Sequence, residues 1–267
     1  MTSAATAATA TERLLLRHEA DGVTTLTLNR PQQFNALSGA LLNELQAALD
    51  GIAGNQSVRV VVIAGSGPAF CAGHDLKEMR ANHNPDFIEA LFRRCSRVMM
   101  TLTEIPQPVI ARVHGIATAA GCQLVAACDL AVASTEARLA TSGVNFGLFC
   151  STPGVALSRN MSRKQAMEML LTGDFIDAQT ALKRGLVNRV VSPAELDAEV
   201  ARLAAAIKGK SRAAISLGKQ KFYKQLEMSM EQAYQYASKV MACNMMDDDA
   251  AEGIDAFMQK RPPKWKS

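Results

Sequence analysis

Aromatic residues make up only 5% of the 267 residues, and the formal net charge is +4. Nucleic-acid binding needs a basic stripe or a set of stacking aromatics, and no clustered one is visible, so no nucleic-acid partner is expected. A mildly basic surface stays compatible with ligands that carry phosphates. No run of about 18 apolar residues occurs, and no membrane span is expected. Residues 1–12, MTSAATAATATE, have no positive charge before Arg13 and no long apolar core. That argues against a secretory signal or an Arg-rich transit peptide and favours a disordered tail, with the cytoplasm as the default location. The six cysteines, Cys71, Cys95, Cys122, Cys128, Cys150 and Cys243, lack the density of a secreted disulfide scaffold and read as reduced thiols. Cys71 with His74 makes a C-x-x-H spacing and Cys122 with Cys128 a C-x5-C, but neither has a partner pair at zinc-ligand spacing, so no metal is expected.

What the chain does have is a 48% hydrophobic content, enough for one large core or a domain with a smaller appendage. Two stretches stand out. Val58 to Ile63 reads as a buried strand and runs into GSGPAFCAGHDLKEMR, Gly65 to Arg80, where small residues precede a helix start at Asp75. Downstream, the strand-like run Val109 to Val113 ends at Gly115, and Ala119, Ala120 and Gly121 enter an apolar helix. The first amides of a helix have no intrahelical acceptor. Two such turns crowded with Ala and Gly can present two main-chain N–H groups to one oxygen, which is an oxyanion hole.

Around these stretches the chain reads as alternating strands and helices, as in βαβ units of a parallel sheet. Asp21-Gly22 between Leu14–Arg17 and Val23–Asn29 is the strongest hairpin signal. NRPQQFNALS breaks structure at Pro31 and leads into a helix capped by Ser38. Asp86 to Glu104 is helical by periodicity. From Ser192 or Pro193 the chain reads as helical, with segments 195–207, 211–226, 230–245 and 248–257, and Met228, Met230, Met241, Met245 and Met246 read as core or interface filler.

AFCAGHDLKEM at 69–79, HGIATAAGCQLVAACDLAVAS at 114–134 and STPGVALSR at 151–159 resemble the signatures of the crotonase, or enoyl-CoA hydratase/isomerase, superfamily. The resemblance runs from about Leu14 to the C-terminus, and NFGLFCSTPGVAL and FMQKRPPKW resemble one branch of that family in particular. It implies an α/β crotonase (ClpP-like) spiral of ββα units over 13–192 and a helical region over 193–267 that packs on the core and on neighbouring subunits, giving a homotrimer or a hexamer built as a dimer of trimers. It implies an acyl-CoA thioester as ligand, with coenzyme A as part of the substrate and no tightly bound cofactor. By motif position Arg30 would meet a phosphate, against the plainer reading of a solvated charge. Ala36 and Leu37 would meet the adenine or pantetheine, and Ala72, His74, Asp75, Leu76 and Lys77 the rest of the CoA groove.

The shared step of that family is stabilisation of a thioester enolate between two amides, here those of His74 and Ala120. The His74 side chain could add a donor or a base, or simply pack near the CoA. Hydratases of the family use two glutamates to activate water and deliver a proton, and their positions hold Gln123 and Gly143 here. Neither residue transfers a proton at neutral pH. Members with glycine at the second site borrow bicarbonate held by a glutamine, but that position is Thr141 here. Asp75 and Asp129 would make loop and helix-start hydrogen bonds, Glu78 would be a solvated charge, and Cys122, Asn145, Cys150 and Ser151 would fall near the acyl pocket. The expectation is a hydratase-type lyase acting on a 2-enoyl-CoA in fatty-acid metabolism. The alternatives are an acyl-CoA-binding pseudoenzyme or a different crotonase-type reaction.

Overall fold

The computed structural model describes residues 13–266, so the expected disordered tail at 1–12 lies outside the described residues. Strands β1 (Leu15–Ala20) and β2 (Val23–Leu28) pair antiparallel through Asp21 and Gly22, whose φ values of 48° and 71° are those a tight two-residue hairpin turn requires. Thr24, Leu26 and Leu28 of β2 face inward, as alternation predicts. Helix α1 (Gly39–Ala53) follows, and the Ser38 hydroxyl accepts from the Leu41 amide at its start.

A strand–strand–helix pattern then repeats. The first unit is β3 (Val60–Gly65), β4 (Ala69–Cys71), α2 (Leu76–Ala81) and α3 (Pro85–Glu104). The second is β5 (Val109–Val113), β6 (Ile116–Thr118) and α4 (Ala120–Ala127). The third is β7 (Leu130–Ser134), β8 (Arg138–Ala140), α5 (Ser151–Leu157) and α6 (Arg163–Thr172). Then come β9 (Ile176–Asp177), α7 (Ala178–Lys183), β10 (Arg189–Val191), and the helices α8 (Leu196–Lys208), α9 (Arg212–Gln225), α10 (Met230–Asn244) and α11 (Asp248–Met258).

The first strand of each unit joins a six-stranded sheet ordered β1-β2-β3-β5-β7-β10, and the second joins a four-stranded sheet ordered β4-β6-β8-β9. Each unit advances one place in both sheets, with β3, β5, β7 and likewise β4, β6, β8 parallel. The chain therefore climbs as a spiral of ββα units.

The central strands of the larger sheet, β3, β5 and β7, are buried on both faces, which is why they read as near-continuous apolar runs. Val61 and Ile63 join the main core with Leu41, Leu45 and Leu102, whereas Val60, Val62, Ile110 and Val132 meet Leu196, Val200 and Ala204 of α8 on the other face. Met230, Met241, Met245 and Met246 of the helical tail are exposed and Met228 is half-buried, so the core half of the methionine reading is wrong for this chain. Their helices carry apolar residues on faces that the single chain leaves uncovered.

Helix α9 is fastened to the spiral by one buried cation. Lys219 Nζ donates to the carbonyls of Leu102 and Gln107 and pairs with Asp129 at 2.8 Å, while Asp129 also accepts from the Tyr223 hydroxyl and the Val109 amide. Asp129 thus bonds far more widely than a helix-start role requires. Lys219→Met strips one charge from a buried pair and leaves two carbonyls unmatched, so unfolding in urea is expected to shift by about 3–5 kcal/mol with little change in slope.

Candidate active site

The pairing of β4 with β6 brings two turns of the spiral side by side. Cys71 lies opposite Ala117, and His74 and Ala120 each lie three residues further on, at equivalent places in successive units. The approach is close. A Cβ on Gly121 would sit 2.0 Å from the Cys71 carbonyl oxygen, and one on Gly73, at φ 93°, would sit 3.3 Å from the Ala120 nitrogen. Both positions need glycine for this contact. Ala119 between them adopts φ 50° and ψ −119°, a strained conformation for alanine.

Both amides are available. Leu37 bridges His74 in parallel fashion: its N–H donates to the Gly73 carbonyl and its carbonyl accepts from the Asp75 amide. In that pattern the N–H of His74 itself points to the opposite side. Ala120 is the first residue of α4, where no intrahelical acceptor exists. Among the described residues neither amide has a hydrogen-bond partner.

Beside these turns lies a cavity of about 320 Å³ lined by Ala72, His74, Leu76, Ala119, Ala120 and Gly143, with Met79, Phe92, Phe146, Leu148 and Phe149 supplying its apolar walls and Ser142, Cys150, Ser151, Thr152 and Pro153 completing it. The lining contains no carboxylate. The His74 ring packs against Phe92, centroids 4.9 Å apart, and its Nε2 is buried without a partner among the described residues. Burial pushes the imidazole pKa down to about 4, so it is neutral at physiological pH.

Other residues named from the sequence fall elsewhere. Arg30 is not a solvated charge: its guanidinium donates to the Ala36 carbonyl and to Asp75 at 2.8 Å, pinning the turn after β2 to the start of α2. Asp75 caps α2 through the amides of Lys77 and Glu78, and although burial alone would raise its pKa, Arg30 and those amides hold it below the usual range. Leu37 is fully buried, its side chain in the core and its N–H and carbonyl engaged by Gly73 and Asp75, while Ala36 is half-buried and Lys77 exposed at the α2 start. Glu78, read as solvated, accepts from the Gly39 amide and caps α1.

Gln123 is buried one turn into α4, outside the cavity lining, and its Oε1 has no partner among the described residues; the same holds for Thr141 Oγ1. Cys122 is sealed in the core with its thiol pushed up to about 12, Cys150 is raised by burial as well, and Asn145 is exposed. A thiolate nucleophile therefore has no support at either cysteine. No group of three or more His, Cys, Asp or Glu side chains able to hold a metal occurs among the described residues.

Gly143, which the resemblance sets at a glutamate position, is packed into its loop. Its amide donates to Cys150 Sγ at 3.3 Å, its carbonyl accepts from Leu148, and a Cβ there would stand 2.6 Å from the Leu148 carbonyl oxygen and 2.7 Å from Cys150 Sγ. The loop has folded into the space that a side chain would use. Nothing in the local sequence signals this, because it depends on the return of residues 148–150.

The model of the family described as Enoyl-CoA hydratase/isomerase matches residues 18–267. Enoyl-CoA hydratase domain-containing protein 3, mitochondrial, is 49% identical in its human form over 92% of this chain and 81% of that protein, and 47% identical in the mouse form over 95% and 84%. This is the branch whose loop and tail motifs the chain shares. A crystal structure of enoyl-CoA hydratase from Mycobacterium smegmatis superposes with a TM-score of 0.94 at 59% identity, covering 96% of this chain and all (100%) of that one. The human domain-containing protein 3 structure gives 0.92 at 48% identity, covering 95% and 100%. The vertebrate relatives carry "mitochondrial" in their names, so the cytoplasmic default gains no support. No helix among the described residues is long and apolar enough to cross a membrane.

Two outcomes follow from this geometry. Gly143→Glu is expected to lose about 1–3 kcal/mol of stability by overpacking the loop, seen as a lower unfolding midpoint, and to gain no hydration activity. Stability of the wild type is expected to fall as pH drops from about 6.5 toward about 4, because the unfolded imidazole of His74 takes up a proton that the folded one refuses. Melting curves of His74→Phe across that window should lack this part of the decline.

Proposed function

The chain belongs to the enoyl-CoA hydratase/isomerase family, and from that premise we propose that its cavity takes the acyl group of a CoA thioester and receives the carbonyl oxygen on the amides of His74 and Ala120. The observation that carries this reading is the pair of amides without partners among the described residues, set by strand pairing, at a cavity whose lining has no carboxylate. A preorganised donor of this kind contributes about 10²–10³ in rate to reactions that build charge on the oxygen. Coenzyme A enters as part of the substrate. Ala72 and Leu76 line the cavity, Lys77 follows on the exposed face of α2, and Arg30 with Asp75 holds that wall in place.

Hydration of a 2-enoyl-CoA, as in fatty-acid metabolism, is the default reaction for such a site. It needs a group to activate water and another to deliver a proton, each typically worth about 10²–10⁴. With Gln123 behind the lining and Gly143 packed against Cys150, hydration would be slower than a two-glutamate site allows by on the order of 10⁴ or more. The reading is therefore a CoA-thioester site built for enolate stabilisation with little hydratase power. A pure acyl-CoA-binding role is the second reading, favoured by the same missing carboxylates. The exposed apolar residues of the last helices, among them Met230, Tyr234, Met241 and Phe257, favour further copies of this chain as partners, in a homotrimer or a dimer of trimers. The names of the vertebrate relatives favour a mitochondrial setting.

A panel of saturated and 2-unsaturated acyl-CoA thioesters, assayed for binding by calorimetry and for hydration by loss of enoyl absorbance, tests this. Binding with hydration at least about 10⁴-fold below a two-glutamate hydratase assayed alongside is expected. Absence of binding to every thioester would refute the reading. Full-rate hydration of crotonyl-CoA that disappears in Gln123→Ala would return the protein to the hydratases.

A further inference from the structure

With both glutamates gone, the ionisable side chains in the cavity lining are His74 and Cys150. The Cys150 thiol is raised by burial and accepts the Gly143 amide, which leaves it neither an acid nor a base of use near neutrality. His74 differs on every count. Its ring belongs to the residue whose own N–H points to the proposed carbonyl site, so it lies within one residue of the reacting centre. The ring lines the cavity and is held by Phe92 at 4.9 Å, and because its Nε2 is closed off and unpaired among the described residues, Nδ1 is the nitrogen with access to the cavity. A buried polar atom without a partner is uncommon and calls for a role.

We propose that the imidazole of His74 is a catalytic residue that replaces the missing carboxylates as proton carrier, removing and returning the α-proton of an acyl-CoA whose thioester oxygen rests on the amides of His74 and Ala120. The proposal rests on the reading of the cavity given above. In the forward step the Cα–H bond breaks and its proton forms an N–H bond with the imidazole lone pair. The Cα electron pair becomes the Cα–C double bond, and the carbonyl pair moves to oxygen, giving the enolate. Reversal returns a proton to Cα, and exchange of the imidazolium proton with solvent in between labels the substrate.

The environment suits this exchange of roles. At a pKa of about 4, the buried imidazole has close to the proton affinity of an ordinary glutamate, about 4.3, and is present as free base at pH 7. As the enolate forms, a negative oxygen appears beside the ring and favours the imidazolium, so proton uptake and charge development support one another. Phenylalanine at position 74 keeps the backbone donor and a ring against Phe92 and loses the carrier, while alanine keeps the backbone donor alone.

Butyryl-CoA incubated with the full-length protein in D₂O, followed by mass spectrometry, reads α-deuterium incorporation without any need for hydration. Wild type is expected to incorporate label catalytically. His74→Ala and His74→Phe should each lose about 10²–10⁴-fold in that rate while the Kd for butyryl-CoA, measured by calorimetry, changes by less than about 3-fold, a shift well under 1 kcal/mol. Unchanged exchange in both folded variants, or tight binding by wild type with no exchange, would overturn the assignment of the proton to His74 and leave the CoA site standing. Failure of wild type to bind butyryl-CoA would overturn the cavity reading along with it.

Discussion

The site depends on the contact between the backbone of Gly121 and the Cys71 carbonyl. It is possible only because β4 and β6 are neighbours in the smaller sheet and because position 121 has no side chain. Once those two units of the spiral are clamped at that distance, the amides of residues 74 and 120 emerge from the ends of adjacent strands at the same height. The larger sheet, the α9 anchor through Lys219 and the α2 cap through Asp75 and Arg30 all keep that rung from shifting. The electrostatics of the cavity are thus a property of main chain held by packing, and they persist whatever side chains stand around them.

On the proposed reading, that division separates what Gln123 and Gly143 change from what they leave in place. The donors belong to peptide units and remain. The residues at those two places sit differently: Gln123 is buried behind the wall, and Gly143 lets the 148–150 return close against it. The second change has structural consequences that the first lacks, since the loop now uses the room. His74, set where small residues would suffice for the amide alone, gives the lining a titratable ring that its backbone role does not require.

Much of this was legible from residue order because it rests on local physics. The Asp21-Gly22 hairpin, the Ser38 and Asp75 caps and the helix limits near 104, 208 and 244 follow from turn chemistry and periodicity. So did the two small-residue turns as places where amides go unpaired. What was not legible lies in contacts between distant residues. Nothing near Arg30 announces Asp75 as its partner, and nothing near Glu78 shows that it caps a different helix. The inward turn of Leu37 at its bridge to His74 depends on the core beneath it. The exposed methionines of the tail carry a pattern that periodicity reads equally well as core or as a surface between copies.

The ladder register between Cys71 and Ala117 also sets what kinds of change the site tolerates. The main chain asks only for an amide hydrogen at 74 and 120, so proline is excluded at both, while the buried setting of Ala120 also keeps its side chain small. Chain length is not free in the same way. Deleting or adding a single residue between 71 and 74, or between 117 and 120, would turn one N–H away and displace it by a residue's rise, with no neighbouring peptide placed to substitute. A scaffold of this kind is intolerant of insertion at two three-residue gaps, because the register of the ladder fixes which peptide N–H groups are left unpaired.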